Sequence, residues 1–172
     1  MLYLSSVVLV AVWTSLFCFT PVQGSCPAGW EHHDESCYEF VTKEQTWINA
    51  EVDCIRHGAR LAKIQSDDEN EFLREYLSNN SRQYNGYDMW LGAKKRSDGG
   101  WGWGDGSTLA DDDYDDWQTG NPDNPDLGVC LEFESGFNNH WNDDFCDELN
   151  YYICQRPFHP LTPPPPPTEL IG

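Results

Sequence analysis

Seven cysteines, at positions 18, 26, 37, 54, 130, 146 and 154, constrain the fold of this chain more than any other feature. Cys18 stands apart. It lies in an opening stretch, residues 1–24, that contains no Asp, Glu, Lys or Arg and is mostly apolar from Leu2 to Phe19. Val22-Gln23-Gly24 then supplies the small residues a signal peptidase needs, so cleavage is expected between Gly24 and Ser25. Ser5, Ser6, Thr14 and Ser15 interrupt the apolar run, and nothing later is apolar enough to span a bilayer, which disfavours a retained anchor. The expected product is soluble, secreted and extracellular. Loss of Cys18 leaves an even six, which in an oxidising compartment reads as three disulfides. Spacing alone does not choose among the many pairings. Zinc is disfavoured, because no C-x-x-C pair exists and the five histidines are scattered; His32-His33 reads as a solvated turn.

Charge narrows the partners. All 29 acids and 10 bases lie beyond the leader, so the secreted chain keeps a formal charge of −19. Such a surface repels nucleic acid and anionic membranes and attracts cations, of which calcium is the abundant extracellular one. The stretch from Cys26 to Cys154 is long enough for one domain with its own core. Three segments are therefore expected: a signal peptide at 1–24, a domain at 25–157, and an exposed proline-rich tail at 158–172 containing Pro163 to Pro167.

Two helices are predicted. Thr42-Lys-Glu-Gln45 resembles a capping box, with Trp47, Ala50 and Cys54 recurring behind it and Gly58 as the stop. Ser66-Asp-Asp-Glu69 is a better box and predicts a second helix from about Asp67 to Ser78. Strands are predicted at Tyr38–Val41, Leu61–Ile64, Met89–Ala93, Val129–Glu134 and Tyr151–Gln155. From Gly92 to Cys130 runs a stretch rich in Gly, Asp, Asn and Pro with no period, a length uncommon in a compact domain unless the loop has a job. Its Asp111 to Asp116 run reads as a hydrated face before it reads as an ion site. Asn79-Asn80-Ser81 is a glycosylation sequon with Asn79 as acceptor. No nucleophile stands in a catalytic context, since Ser107 lacks the G-x-S-x-G spacing, so an enzyme is not expected.

Two stretches carry the chemistry: "GNPDNPDLGVC", ending at Cys130, and "HWNDDFC", ending at Cys146. Together with "CPAGWEHHDESCYEF", "TWINAEVDCIRHGARLAKI", "MWLGAKK", "WGWGDGS" and "YYICQR", in that order, they resemble the C-type lectin domain family over residues 26–157. The resemblance implies an α+β, C-type lectin-like fold with two helices, small antiparallel sheets, a long loop region and three disulfides. It implies the pairs Cys26–Cys37, Cys54–Cys154 and Cys130–Cys146, with Trp47, Trp90, Trp101 and Trp103 as packing residues. It also implies a Ca2+ site in which a cis proline, Pro122, lets Asn121 and Asp123 face one ion with Asn142 and Asp143. The same four residues would contact a sugar. Members usually place a further acid two residues before the next cysteine; here that position is Gly128, and Asp126 is the expected substitute. The family's auxiliary calcium ligands fit poorly on Lys94, Lys95 and Arg96.

The implied function is calcium-dependent carbohydrate binding, with glycans on cell surfaces or glycoproteins as partners and homo-oligomers compatible with it. An amide-Pro-acid order resembles galactose-type members, whereas mannose-type members carry acid-Pro-amide. Asn121 is shorter than the usual Gln and no aromatic follows Asp123, so the galactose preference is expected to be modest. The alternative is a member that keeps the fold and binds protein, mineral or ice instead of sugar.

Overall fold

Ten residues from Ser36 to Gln45 and eight from Asn150 to Pro157 form the pair of strands that brings the two ends of the domain together. The computed structural model describes residues 24–84, 86–124 and 128–158. The expected leader before Gly24, Asp126, and the tail beyond Phe158 lie outside them. Along the chain the elements are β1 (Glu31–His33), β2 (Ser36–Gln45), α1 (Trp47–Arg56), β3 (Arg60–Leu61), α2 (Asp67–Asn79) and α3 (Ser81–Tyr84), then β4 (Met89–Lys95), β5 (Trp101–Trp103), β6 (Thr108–Leu109), β7 (Val129–Glu134), β8 (His140–Phe145) and β9 (Asn150–Pro157). No helix among the described residues is long and apolar enough to cross a membrane.

The strands form one mixed sheet. β2 lies antiparallel between β1 and β9, and β9 runs parallel to β4 through Met89↔Tyr151 and Trp90↔Tyr152. That parallel contact joins what the sequence suggests are separate small antiparallel sheets. It is possible because Met89 to Ala93 are all buried, so β4 is covered on both faces as parallel pairing requires. β4 also pairs with β5 and β7, and β7 carries β8 on its far side. Gly92 sits where a Cβ would come within 2.7 Å of the Leu61 carbonyl, so this crossing admits no side chain.

All three implied disulfides are present, with Cα separations of 5.6 Å for Cys26–Cys37, 5.4 Å for Cys54–Cys154 and 5.1 Å for Cys130–Cys146. The second joins α1 to β9 and closes a separation of 100 residues, worth about 4–5 kcal/mol by loop entropy.

The serine half of the second capping box forms as expected, with Ser66 Oγ accepting the Glu69 N–H at 3.2 Å. The Glu69 carboxylate reaches one residue further back than the box requires, accepting from Gln65 N at 2.8 Å, and also accepts from Gln155 Nε2 at 2.8 Å and from the Tyr38 hydroxyl. The first box does not form. Thr42 to Gln45 stay in β2, where Gln45 pairs with Asn150, and α1 starts after Thr46 with no side-chain cap. Burial holds that helix instead: Trp47, Ala50 and Cys54 face the core, and Trp47 Nε1 donates to the Leu91 carbonyl at 2.7 Å.

The Gly92–Cys130 stretch is also more ordered than its composition suggests. It contains β5, β6 and a bridge from Trp117 to Trp141, and the Trp101, Trp117 and Trp141 rings pack at 5.0 and 5.7 Å between centroids. Aromatic burial replaces periodicity here. Trp47, Trp90, Trp101 and Trp103 are all buried, as expected of packing residues. His32 and His33 belong to β1 and not to a turn, and the His33 ring stacks on Phe72 at 4.3 Å. Asn79 is the exposed last residue of α2.

Candidate metal and ligand site

The loop segment leading to Asn124 is tied to β8 before it reaches the site. The Trp141 N–H donates to the Asp116 carbonyl at 3.0 Å, Gln118 N–H to the Trp141 carbonyl at 2.9 Å, and Asn121 N–H to the Gln118 carbonyl at 2.8 Å. Side chains reinforce the tie. Asp116 accepts from Asn70 Nδ2 at 2.8 Å and Arg74 Nη1 at 3.2 Å, and its other oxygen lies 2.8 Å from His140 Nδ1. Asp116 is therefore no part of a hydrated acidic face, because α2 and β8 both bind it. Asp113 likewise has a local task, accepting the Ala110 N–H at 2.8 Å.

The Asn121–Pro122 peptide bond is cis. It turns the chain so that Asn121 Nδ2 donates to Asn142 Oδ1 at 2.5 Å. Two residues later the backbone N–H groups of Asp123 and Asn124 donate to the two oxygens of Asp143, at 3.0 and 3.1 Å. Lys95 Nζ holds the next carbonyl, that of Asn124, at 2.6 Å. The sequence-predicted residues Asn121, Asp123, Asn142 and Asp143 thus come together, Asp123 through its backbone with its side chain exposed. Asp126 lies outside the described residues. Gly128, at a φ of 92°, brings no donor side chain; its carbonyl accepts the Cys146 N–H at 2.9 Å.

Two residues that sequence reasoning missed support this group. Glu132, on β7 directly opposite Asn142, is 1% exposed and accepts from Asn142 Nδ2 at 2.9 Å and Asn150 Nδ2 at 2.5 Å. Its signal is legible: one acid inside the otherwise apolar run from Val129 to Phe133. Lys95 carries no such signal. Electrostatics follow from burial. Desolvation pushes the Asp143 carboxyl above the ordinary carboxylate range, against the two backbone N–H donors. Burial likewise pushes Glu132 up to about 9; the Asn142 N–H opposes the rise, and the charges of Asp88, Asp144 and Glu134 add to it.

The donor set suits a hard cation. Two carboxylates and two amides offer oxygen and no sulfur or imidazole, and Asp143 is a nearly buried carboxylate balanced by N–H dipoles.

A disulfide-stapled α+β domain whose ends meet in a sheet, with a long loop folded over acid and amide side chains, has the architecture of a C-type lectin domain. The chain belongs to the C-type lectin domain family: residues 43–156 match the lectin C-type domain. It is similar to lactose-binding lectin l-2 of Anguilla japonica, with 36% identity over 137 residues that cover 77% of this chain and 78% of that protein. Among solved structures it resembles the cow C-type carbohydrate-recognition domain of CD23 in the presence of a GlcNAc2Man3 oligosaccharide, with a TM-score of 0.66, 30% identity, and coverage of 79% and 98% of the two chains. It also resembles a calcium-independent type II antifreeze protein, with a TM-score of 0.67, 27% identity, and coverage of 79% and 97%. None of these is named as an enzyme.

Proposed function

We propose that the protein is a secreted, calcium-dependent carbohydrate-binding lectin with a lean toward galactose-type ligands. The observation that carries the reading is the convergence of the loop on β8, where the Asn121 amide meets Asn142 and the backbone N–H groups of Asp123 and Asn124 meet the Asp143 carboxyl. Asn121, Asp123, Asn142 and Asp143 would hold Ca2+, with Asp126 as the candidate fifth residue. When bound, the ion supplies coordination positions for sugar hydroxyl oxygens. Asn121 would then exchange its bond to Asn142 for one donated to a sugar hydroxyl, while Asp123 would accept a hydroxyl proton. That polarity suits the hydroxyl arrangement of galactose, and the likeness to a lactose-binding lectin supports the same lean. Without Asp126 the site has two acids and is expected to hold calcium loosely, at about 10⁻⁴–10⁻³ M. Secretion, and a glycan on the exposed Asn79, belong to the same reading.

A second reading has its own support. Gly128 stands where members usually place an acid, the charge of −19 suits a mineral or ice surface, and the fold is shared with a calcium-independent antifreeze protein. A glycan array run with calcium and again with a chelator separates the two. Galactose-type signals lost on chelation support the lectin. No glycan signal in either condition, with ice or mineral binding retained under chelator, supports the other.

A further inference from the structure

We infer that Glu132 is a positioning residue for the metal site: it fixes which end of the Asn142 amide faces the loop. The inference rests on the proposed calcium site and deepens it. An asparagine amide has an oxygen and a nitrogen of nearly equal size, and the nitrogen end repels a cation. Some neighbour has to choose between them. Glu132 faces Asn142 across the β7–β8 ladder, and each of its two carboxyl oxygens lies within hydrogen-bond distance of a side-chain amide nitrogen. Oε1 takes Asn142 Nδ2, so Asn142 Oδ1 points the other way, toward Asn121. Oε2 takes Asn150 Nδ2 at the start of β9, where Asn150 pairs with Gln45 of β2. The brace therefore runs from the sheet that joins the chain ends, through one buried carboxylate, to an amide oxygen at the site.

Nothing in the packing requires an acid at this position. Its strand neighbours Leu131 and Phe133 are fully buried and apolar, and Trp90 of β4 stands opposite it. An acid at 1% exposure is costly unless its oxygens are paired, and both are paired with side-chain amides. Neighbours that orient a metal ligand are typically worth about 10–100-fold in metal affinity.

The test is calcium titration by calorimetry of the wild type, Glu132→Met and the double variant Glu132→Gln with Asn150→Asp. Methionine fills the space and accepts no hydrogen bond of comparable strength, so calcium affinity should fall about 10–100-fold. In the double variant, the glutamine oxygen accepts from Asn142 and its NH2 donates to the carboxylate that Asn150→Asp introduces, so affinity should return to within about threefold of wild type. In ion-free protein, the Asn142 side-chain N–H protons should exchange slowly with solvent in the wild type and the double variant, and rapidly in Glu132→Met. Glu132→Met binding calcium as the wild type does would overturn the inference. So would a double variant as weak as Glu132→Met while its thermal transition stays intact. Wild-type protein that takes up no calcium overturns the proposed site and this role with it. Slow Asn142 exchange would still mark that result as a failure of the metal reading and not of the brace.

Discussion

Two buried carboxyls make the site sensitive to pH. Asp143 and Glu132 both hold their protons to higher pH than ordinary carboxyls, because burial disfavours their charge. A carboxyl whose pKa is raised by folding contributes stability that is full below its unfolded value and is lost as pH rises through its folded value. For Glu132 that window runs from 4.5 to about 9. Calcium works in the opposite direction, since it requires the ionised form of Asp143. The gain in melting temperature on adding calcium should therefore be larger at pH 8 than at pH 5, as paired thermal melts with calcium and with chelator would show. An equal gain at both values would contradict the account. Asp143→Asn should cost at least tenfold in calcium affinity by calorimetry, because a nearly buried anionic ligand is lost. Reversing the loop polarity with Asn121→Glu and Asp123→Asn should move the sugar preference toward mannose in a competition assay, with calcium dependence retained.

At the scale of elements, the long loop depends on α2 through one acid. Asp116→Ala would leave Asn70 Nδ2, Arg74 Nη1 and His140 Nδ1 without the carboxylate that joins them in a half-buried site. Urea unfolding should show a loss of about 1–3 kcal/mol, with faster proteolysis between residues 110 and 124. Ser66→Ala should cost about 1 kcal/mol through the lost cap of α2, with the loop unaffected. That helix is legible in the sequence because its box, its first-turn acids and its apolar face all agree. The box at Thr42 follows the same local rule, yet long-range pairing of β2 with β9 overrides it. β7 is legible with its observed ends, Val129 and Glu134, since five of its six residues are buried. β8 does not read as a strand, because His-Trp-Asn-Asp-Asp is polar wherever it faces the loop. The same polarity makes it readable as half of a site. The four expected site residues are legible by motif, whereas the Glu132 brace needs the β7–β8 register, which no local pattern encodes.

Across the whole molecule, the fold separates stability from chemistry. Stability concentrates in the sheet that joins the chain ends and in the Cys54–Cys154 bond, and the site lies on a loop and a strand held to that frame. Replacing both cysteines of that pair by alanine should cost about 4 kcal/mol in unfolding free energy. The formal charge of −19 repels itself, so moderate salt should raise the melting temperature of ion-free protein. Calcium should do so at much lower concentration if it binds the folded state at one place. The most direct test of the account is calorimetric titration of galactose into the protein, first with millimolar calcium and then with chelator in excess. Binding is predicted with calcium and absent with chelator, and mannose should compete more weakly. Galactose binding that survives chelation, or no sugar binding under either condition, would contradict it.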